Sequence, residues 1–131
     1  HPHLQQNELL EYCKENEIVL TAYSPLGSSD RQNRKDDEPP LLEHPVIEEI
    51  AEDAEASTAQ VLLAWAMQRE TVVIPKSVTP AHIAANYDAL HLELEDEHMA
   101  KIAELDKGYR YVDGSFFCKD GSPYEVEDIF K

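Results

Sequence analysis

Ile18-Val19-Leu20-Thr21-Ala22, running directly into Tyr23-Ser24-Pro25-Leu26-Gly27, decides the fold of this chain. The first five residues form an unbroken apolar, β-branched run, and Ser24-Pro25 with Gly27 are turn signals. A half-buried strand alternates apolar and polar residues. This run does not alternate, which predicts a strand covered on both faces, as in a parallel sheet. A second run, Thr71-Val72-Val73-Ile74, is ended by Pro75. Between the two, Pro45 suits the first position of a helix with the stripe Val46, Ile47, Ile50, Ala51 and Ala54. Ser57-Thr58-Ala59-Gln60 then reads as a capping box that opens a second helix, with Val61, Leu62 and Trp65 on its inner face.

Outward from this centre the pattern continues. Leu9, Leu10 and Cys13 share one face of a short helix ending near Asn16. Thr79-Pro80 supplies an N-cap and a first-turn proline for a helix carrying Ile83, Tyr87 and Leu90. A last helix carries Met99, Ile102 and Leu105. From Gly108 the chain is an irregular, aromatic-rich tail with Tyr109, Tyr111, Phe116, Phe117, Tyr124 and Phe130. Strands alternating with helices predict βα units on a parallel sheet, an α/β fold. Two strands cannot make such a sheet with both faces covered, so the expectation is part of a larger α/β fold.

The 131 residues carry 11 Lys+Arg against 27 Asp+Glu, a formal charge of −16. That excess speaks against nucleic acid and against an anionic membrane surface as partners, since both are bound by surplus cations. The charge is uneven. Asp36, Asp37, Glu38, Glu43, Glu48, Glu49, Glu52, Asp53 and Glu55 fall in one stretch without Lys or Arg, and residues 92–107 are acidic again. These runs predict solvated helix faces. Residues 72–91 are neutral, with Lys76 against Asp88, and would not repel an anion. No apolar run approaches the ~20 residues of a membrane span. Cys13 and Cys118 cannot make a disulfide framework, so a reduced, cytoplasmic protein is expected, with Cys13 as a core thiol. The chain opens at His1 with no leader pattern, which suggests a processed chain or a piece of one.

In parallel α/β folds, ligands bind beyond the carboxyl ends of the strands. Two segments hold that place: Tyr23-Ser24-Pro25-Leu26-Gly27-Ser28-Ser29-Asp30 and Pro75-Lys76-Ser77-Val78-Thr79-Pro80. The second puts a cation, two hydroxyls and free N–H groups at a helix start, which is the chemistry of an anion site. The bland reading is that Ser77 and Thr79 cap the helix and Lys76 is a surface cation. No zinc-ligand spacing, P-loop, G-x-G-x-x-G or G-x-S-x-G occurs. His1-Pro2-His3 can bind metal beside a free amine, but an accident of the chain start explains it better, and no metal site is expected. His44, His91 and His98 sit beside acids and read as surface residues.

The order and spacing of His1-Pro2, Leu4-Gln5-Gln6, Leu20 to Ser28, and Ile74 to Pro80 resemble the aldo-keto reductase family. Leu41–Ile50, Thr58–Leu63 and Gln68-Arg69 fit the same pattern, so the resemblance runs to about Asp106. The tail with Tyr111-Val112-Asp113-Gly114-Ser115-Phe116-Phe117 looks most like fungal members.

The resemblance implies a (β/α)₈ TIM barrel that reduces carbonyls with NADPH. This chain would be its C-terminal part: strands seven and eight with their helices, two extra helices and a tail loop. Residues 1–107 would be partial barrel carrying cofactor loops, and 108–131 the tail shaping the substrate pocket. The family's catalytic Asp, Tyr, Lys and His would lie outside the chain, so no catalytic residue is assigned and no turnover by the chain alone is expected.

For the cofactor, the resemblance implies that Tyr23 stacks on the nicotinamide. Ser24, Leu26 and Ser28 would wrap the pyrophosphate, with Asp30 closing the loop. Lys76, Ser77, Val78 and Thr79 would hold the adenosine ribose and its 2′-phosphate, and Asn86 the adenine. Two positions depart from the pattern: His82 stands for the usual arginine and Ala85 for the usual glutamate. A guanidinium grips phosphate with a permanent fork. Losing one such contact costs ~1.5–3 kcal/mol, which leaves NAD open beside NADP. The competing reading is a non-catalytic acidic interaction module derived from the same barrel.

Overall fold

The computed structural model describes residues 1–29, 31, 34 and 38–129. Asp30, Asp36, Asp37 and Phe130, singled out above, lie outside the described residues. Six helices and two short strands follow in the order α1 (Asn7–Glu15), β1 (Thr21–Ala22), α2 (Pro45–Asp53), α3 (Thr58–Gln68), β2 (Val72–Val73), α4 (Pro80–Asp88), α5 (Asp96–Ala103) and α6 (Val126–Ile129). Short 3₁₀ turns at Leu41–Glu43, Ala89–His91 and Ser115–Phe117 join them.

The strands pair in parallel, with Thr21 opposite Val72 and Ala22 opposite Val73. The ladder is shorter than the two apolar runs that predict it. A strand residue is hydrogen-bonded only where a neighbour lies beside it, and these runs meet over two residues. The prediction of cover on both faces also fails here. Val73 packs against the core, but Val72, Ile74, Ile18 and Val19 are about half exposed or more, Val19 at 72%. Helices cover one side of the pair, and no described residue covers the other.

The core lies between the helices. Ile47 and Ile50 of α2, Val61, Leu62 and Trp65 of α3, and Leu94 and Ile102 beside and within α5 are all buried. On α3 every residue from Val61 to Ala66 is buried, so this helix is enclosed on all sides rather than by one stripe. The acidic face of α2 is exposed as its pattern predicts, and Lys101 of α5 bridges Glu49 at 2.9 Å and Glu97 at 3.1 Å. The α4 stripe behaves otherwise. Ile83, Tyr87 and Leu90 are all more than half exposed, because nothing described packs against that side.

The end signals of the helices are the most local, and they appear as read. Pro45 and Pro80 hold first-turn positions. Ser57 Oγ accepts from Gln60 N while the Gln60 side chain accepts from Ser57 N, completing the capping box. Three helix ends share a feature that the residue types hide. Glu17, Glu55 and Glu70 sit at φ 55°, 50° and 66°, just past α1, α2 and α3. Each follows the six-to-one and five-to-two hydrogen bonding of a Schellman end, as in Ala56 N to Ala51 O and Glu55 N to Glu52 O, both accepted by carbonyls. Glycine normally fills this left-handed position, and an acid there also faces the negative end of the helix dipole. Glu55→Gly is therefore expected to stabilise the fold by about 1 kcal/mol, the steric relief exceeding the added chain entropy. A lower urea midpoint for the variant would count against this account.

Candidate functional site

The turn after β1 is held by its own backbone and by two distant elements. Gly27 N donates to Ser24 O at 2.9 Å, closing a tight turn with Ser24 in the left-handed region at φ 51° and Gly27 at φ 80°. Ser28 Oγ donates to Ser24 Oγ at 3.0 Å, so two of the predicted site hydroxyls are a bonded pair. Leu26 is anchored against the core, and Tyr23 is 44% exposed. Gly27 is also a close approach. A Cβ there would stand 3.3 Å from Leu41 and 3.4 Å from the Tyr111 ring, so the turn lies directly on the C-terminal tail.

The segment after β2 is open. Lys76 is exposed and, among the described residues, forms no ion pair. Thr79 N donates to Ser77 Oγ at 3.2 Å. Thr79 is the N-cap residue of α4 but makes no side-chain cap bond, so its hydroxyl is not spent on the helix end. That weakens the bland reading for Thr79 while leaving Ser77 with a local turn role. Val78 is 80% exposed. His82 and Asn86 are four residues apart on α4 and so share a face, His82 exposed and Asn86 half-buried.

Because β1 and β2 are parallel neighbours in register, both segments leave the same end of the pair. Adjacent strands are ~4.8 Å apart, which sets the two segments side by side at that end. A cavity of about 660 Å³ opens beside β1, and Tyr23 and Ser24 line it together with Trp65, Arg69, Arg110 and Tyr111. Lys76 through Asn86 do not line it. The cavity therefore joins the first segment to the tail, not to the second segment.

Four histidine expectations need adjustment. His3 is not an accident of the chain start: it is buried, and its Nδ1 lies 2.6 Å from Tyr111 Oη. His1 stacks on the same Tyr111 ring with 3.9 Å between ring centres. His44 is half-buried and caps α2, its Nδ1 accepting from Val46 N at 3.3 Å. His98 is buried, and its Nε2 sits 2.8 Å from Asp53 Oδ2, which ties α5 to α2. Among the described residues no group of three or more His, Cys, Asp or Glu side chains could hold a metal.

The tail residue at the centre of these contacts, Tyr111, is 2% exposed. Burial pushes its hydroxyl up to about 12 even though Arg31 pulls the other way, so it stays protonated at neutral pH. Burial is also the main cause that pushes His3 down to about 4, with Lys107 and His44 adding to it. In the unfolded chain His3 titrates at an ordinary 6.5. Between these values the unfolded state binds the extra proton, so stability falls as pH drops from 6.5 towards 4, by roughly 2–3 kcal/mol in all. His3→Phe is expected to flatten that part of the urea-midpoint profile, and an unchanged slope would show that His3 is not its source. The sequence marks Tyr111 only as part of the aromatic tail, and Arg31 not at all. The Tyr109-Arg110-Tyr111 triplet marks an aromatic tail, but only the fold brings it to Gly27.

A short parallel pair backed by helices, with two polar loops leaving one end, places the fold in the parallel α/β class. The Aldo/keto reductase family profile matches residues 2–107, and the chain belongs to that family. An aldo/keto reductase of Synechocystis sp. is 52% identical over 132 residues, covering 99% of this chain and 40% of the relative. Aldo-keto reductase family 1 member A1 of Gallus gallus is 49% identical over 112 residues, covering 86% of this chain and 34% of the relative. The Homo sapiens protein of the same name is 46% identical over the same length. The chain thus spans two-fifths or less of the length of these curated relatives. The family implies a TIM-barrel fold, and helices with one small parallel pair are consistent with part of such a barrel.

Proposed function

We propose that this chain is the C-terminal portion of an NADP(H)-dependent aldo-keto reductase, supplying its cofactor loops and a tail against the substrate pocket. The observation that carries the reading is the parallel register of β1 and β2, which brings both candidate cofactor segments to one end. In this reading residues 1–107 are partial barrel and 108–131 the substrate-loop tail, and the setting is cytoplasmic. No helix among the described residues is long and apolar enough to cross a membrane.

The residues present fit a dinucleotide. A paired set of hydroxyls on a tight turn suits a pyrophosphate, and an exposed lysine beside a helix start in a neutral stretch suits a further phosphate. A bound nicotinamide supplies the hydride. Tyr23 would face the nicotinamide ring, and Ser24, Leu26 and Ser28, with Asp30, would hold the pyrophosphate. Lys76, Ser77, Val78 and Thr79 would hold the ribose and its 2′-phosphate, with His82 in the first turn of α4 and Asn86 against the adenine. The partners are the dinucleotide and a small aldehyde or ketone. NAD remains an alternative cofactor because His82 and Ala85 remove two of the usual contacts.

Fluorescence titration of the complete polypeptide with NADPH and NADH tests this. Lys76→Met is expected to raise the Kd for NADPH by about 10- to 100-fold, the worth of one charge-assisted phosphate contact, and to leave NADH unchanged. Equal loss for both cofactors would place Lys76 away from the 2′-phosphate. No loss for either would remove it from the site.

A further inference from the structure

The turn that carries Ser24 and Ser28 does not stand alone. Arg31 Nη1 donates to Ser28 O at 2.9 Å, and the other end of the same guanidinium pairs with Glu38 Oε1 at 2.5 Å. The Arg31 side chain is only 6% exposed and that of Glu38 16%, so the pair is largely removed from water. The flat guanidinium lies over the Tyr111 ring, 3.8 Å from its centre, and Tyr109 stands further off at 5.9 Å. His1 stacks on Tyr111 as well, and the Tyr111 hydroxyl meets His3. Gly27, at φ 80°, brings the turn within contact distance of the same ring. A desolvated cation on an aromatic face is among the stronger side-chain contacts, and its geometry is specific.

We infer that Arg31 and Tyr111 are positioning residues that fasten the turn bearing Ser24 and Ser28 to the C-terminal tail, so that the tail sets how tightly the dinucleotide is held. The inference rests on the cofactor reading above and adds a dependence to it. Two segments about 80 residues apart in sequence meet at one stack, and a change on the tail side is felt at the pyrophosphate turn. Substrate loop and cofactor loop then cannot vary independently. Neither residue touches the reacting atoms in this scheme.

The test is a double-mutant cycle on the complete polypeptide, read as Kd and dissociation rate for NADPH. Arg31→Met and Tyr111→Leu are each expected to raise the Kd about tenfold, mainly through faster release, and Arg31→Met to leave kcat at saturating NADPH within about twofold. The double variant is expected to be no worse than the weaker single one, because both remove the same contact. Tyr111→Phe keeps the ring and should stay within about twofold of wild type, while Arg31→Lys keeps the charge but loses the flat stack and should fall in between. These two milder variants carry the test if the others fail to fold. Ile50→Val serves as comparison: it thins the core under α2 and should lower the unfolding midpoint without moving the Kd. Wild-type binding with Kd unchanged in Arg31→Met and Arg31→Lys overturns this inference alone. Additive losses in the double variant overturn it too. Wild-type protein that binds neither NADPH nor NADH overturns the cofactor reading, and this inference with it.

Discussion

On the proposed function, the 131-residue chain mixed with NADPH and a small aldehyde is expected to oxidise no cofactor above a no-protein control, whereas a polypeptide that also carries the catalytic segment is expected to turn over. Carbonyl reduction needs a hydride donor held in line with the carbonyl and an acid that gives the oxygen its proton. The candidate residues here address only the first need. Tyr23, Ser24, Ser28 and Lys76 are the proposed binding groups. The buried tyrosine Tyr111 has its hydroxyl pushed up to about 12 and set 2.6 Å from His3 Nδ1. The cavity beside β1 is lined by Arg69, but that guanidinium lies over Trp65 at 4.6 Å and donates to Gln5 O and Asn7 Oδ1 at 2.7 Å each. It is a staple and not a proton donor. The effect should be all or none, because losing the acid and its partners together removes several decades of rate. NADPH consumption that tracks the chain through every purification step, and disappears in Lys76→Met, would place catalytic groups inside these 131 residues. Stability is part of the same result. Val19, Val72 and Ile74 leave apolar strand surface uncovered, so the chain alone should unfold at low denaturant or self-associate.

How far the molecule is legible in its sequence depends on the range of the signal. Caps are read correctly because they involve residues within four of each other, as in Ser57 with Gln60 and proline at positions 45 and 80. The parallel pair is legible because both runs are apolar throughout and end in turn residues. Burial is less so. The stripe Ile83, Tyr87, Leu90 and the run Ile18–Ala22 show an apolar face, but a pattern cannot say whether a partner surface is present. The histidines fail for the opposite reason. His98 looks solvated among acids, yet it is buried and paired with the exposed Asp53, 45 residues away. His3 meets Tyr111 across 108 residues, and no local spacing encodes such a contact. The same holds at the candidate site. Its two segments were legible from strand ends and polar side chains, while the Arg31–Tyr111 stack that supports one of them was not.

Gln5→Leu is expected to cost the fold about 3 kcal/mol, one of the largest losses any single polar residue here would produce. Gln5 is 5% exposed, and its amide nitrogen lies within donating distance of three carbonyls: Pro2 O at 3.0 Å, Ile102 O at 2.9 Å and Ala103 O at 3.1 Å. The last two belong to the final turn of α5, where Ile102 O also accepts from Leu105 N at 3.0 Å and Ala103 O from Asp106 N at 3.5 Å, so Gln5 adds a second donor to each. One side chain thus closes a helix end and ties it to the first residues of the chain. Arg69, donating to Gln5 O, extends the tie to α3. Leucine matches glutamine closely in volume, so packing changes little, and the loss comes from the three side-chain contacts and above all from Pro2 O, left buried without its donor at about 1–3 kcal/mol, since Ile102 O and Ala103 O keep the backbone N–H groups of Leu105 and Asp106. That should lower the thermal midpoint by about 10 °C in a domain of this size. Gln5→Glu separates charge from connectivity. A carboxylate at that position meets three acceptors with no proton to offer, so it should be worse than leucine at neutral pH and recover as the pH falls and the group is protonated. If both variants unfold within a degree or two of wild type at pH 7, the three contacts are not what joins α5 to the start of the chain, and the burial of Ile102 must do so alone.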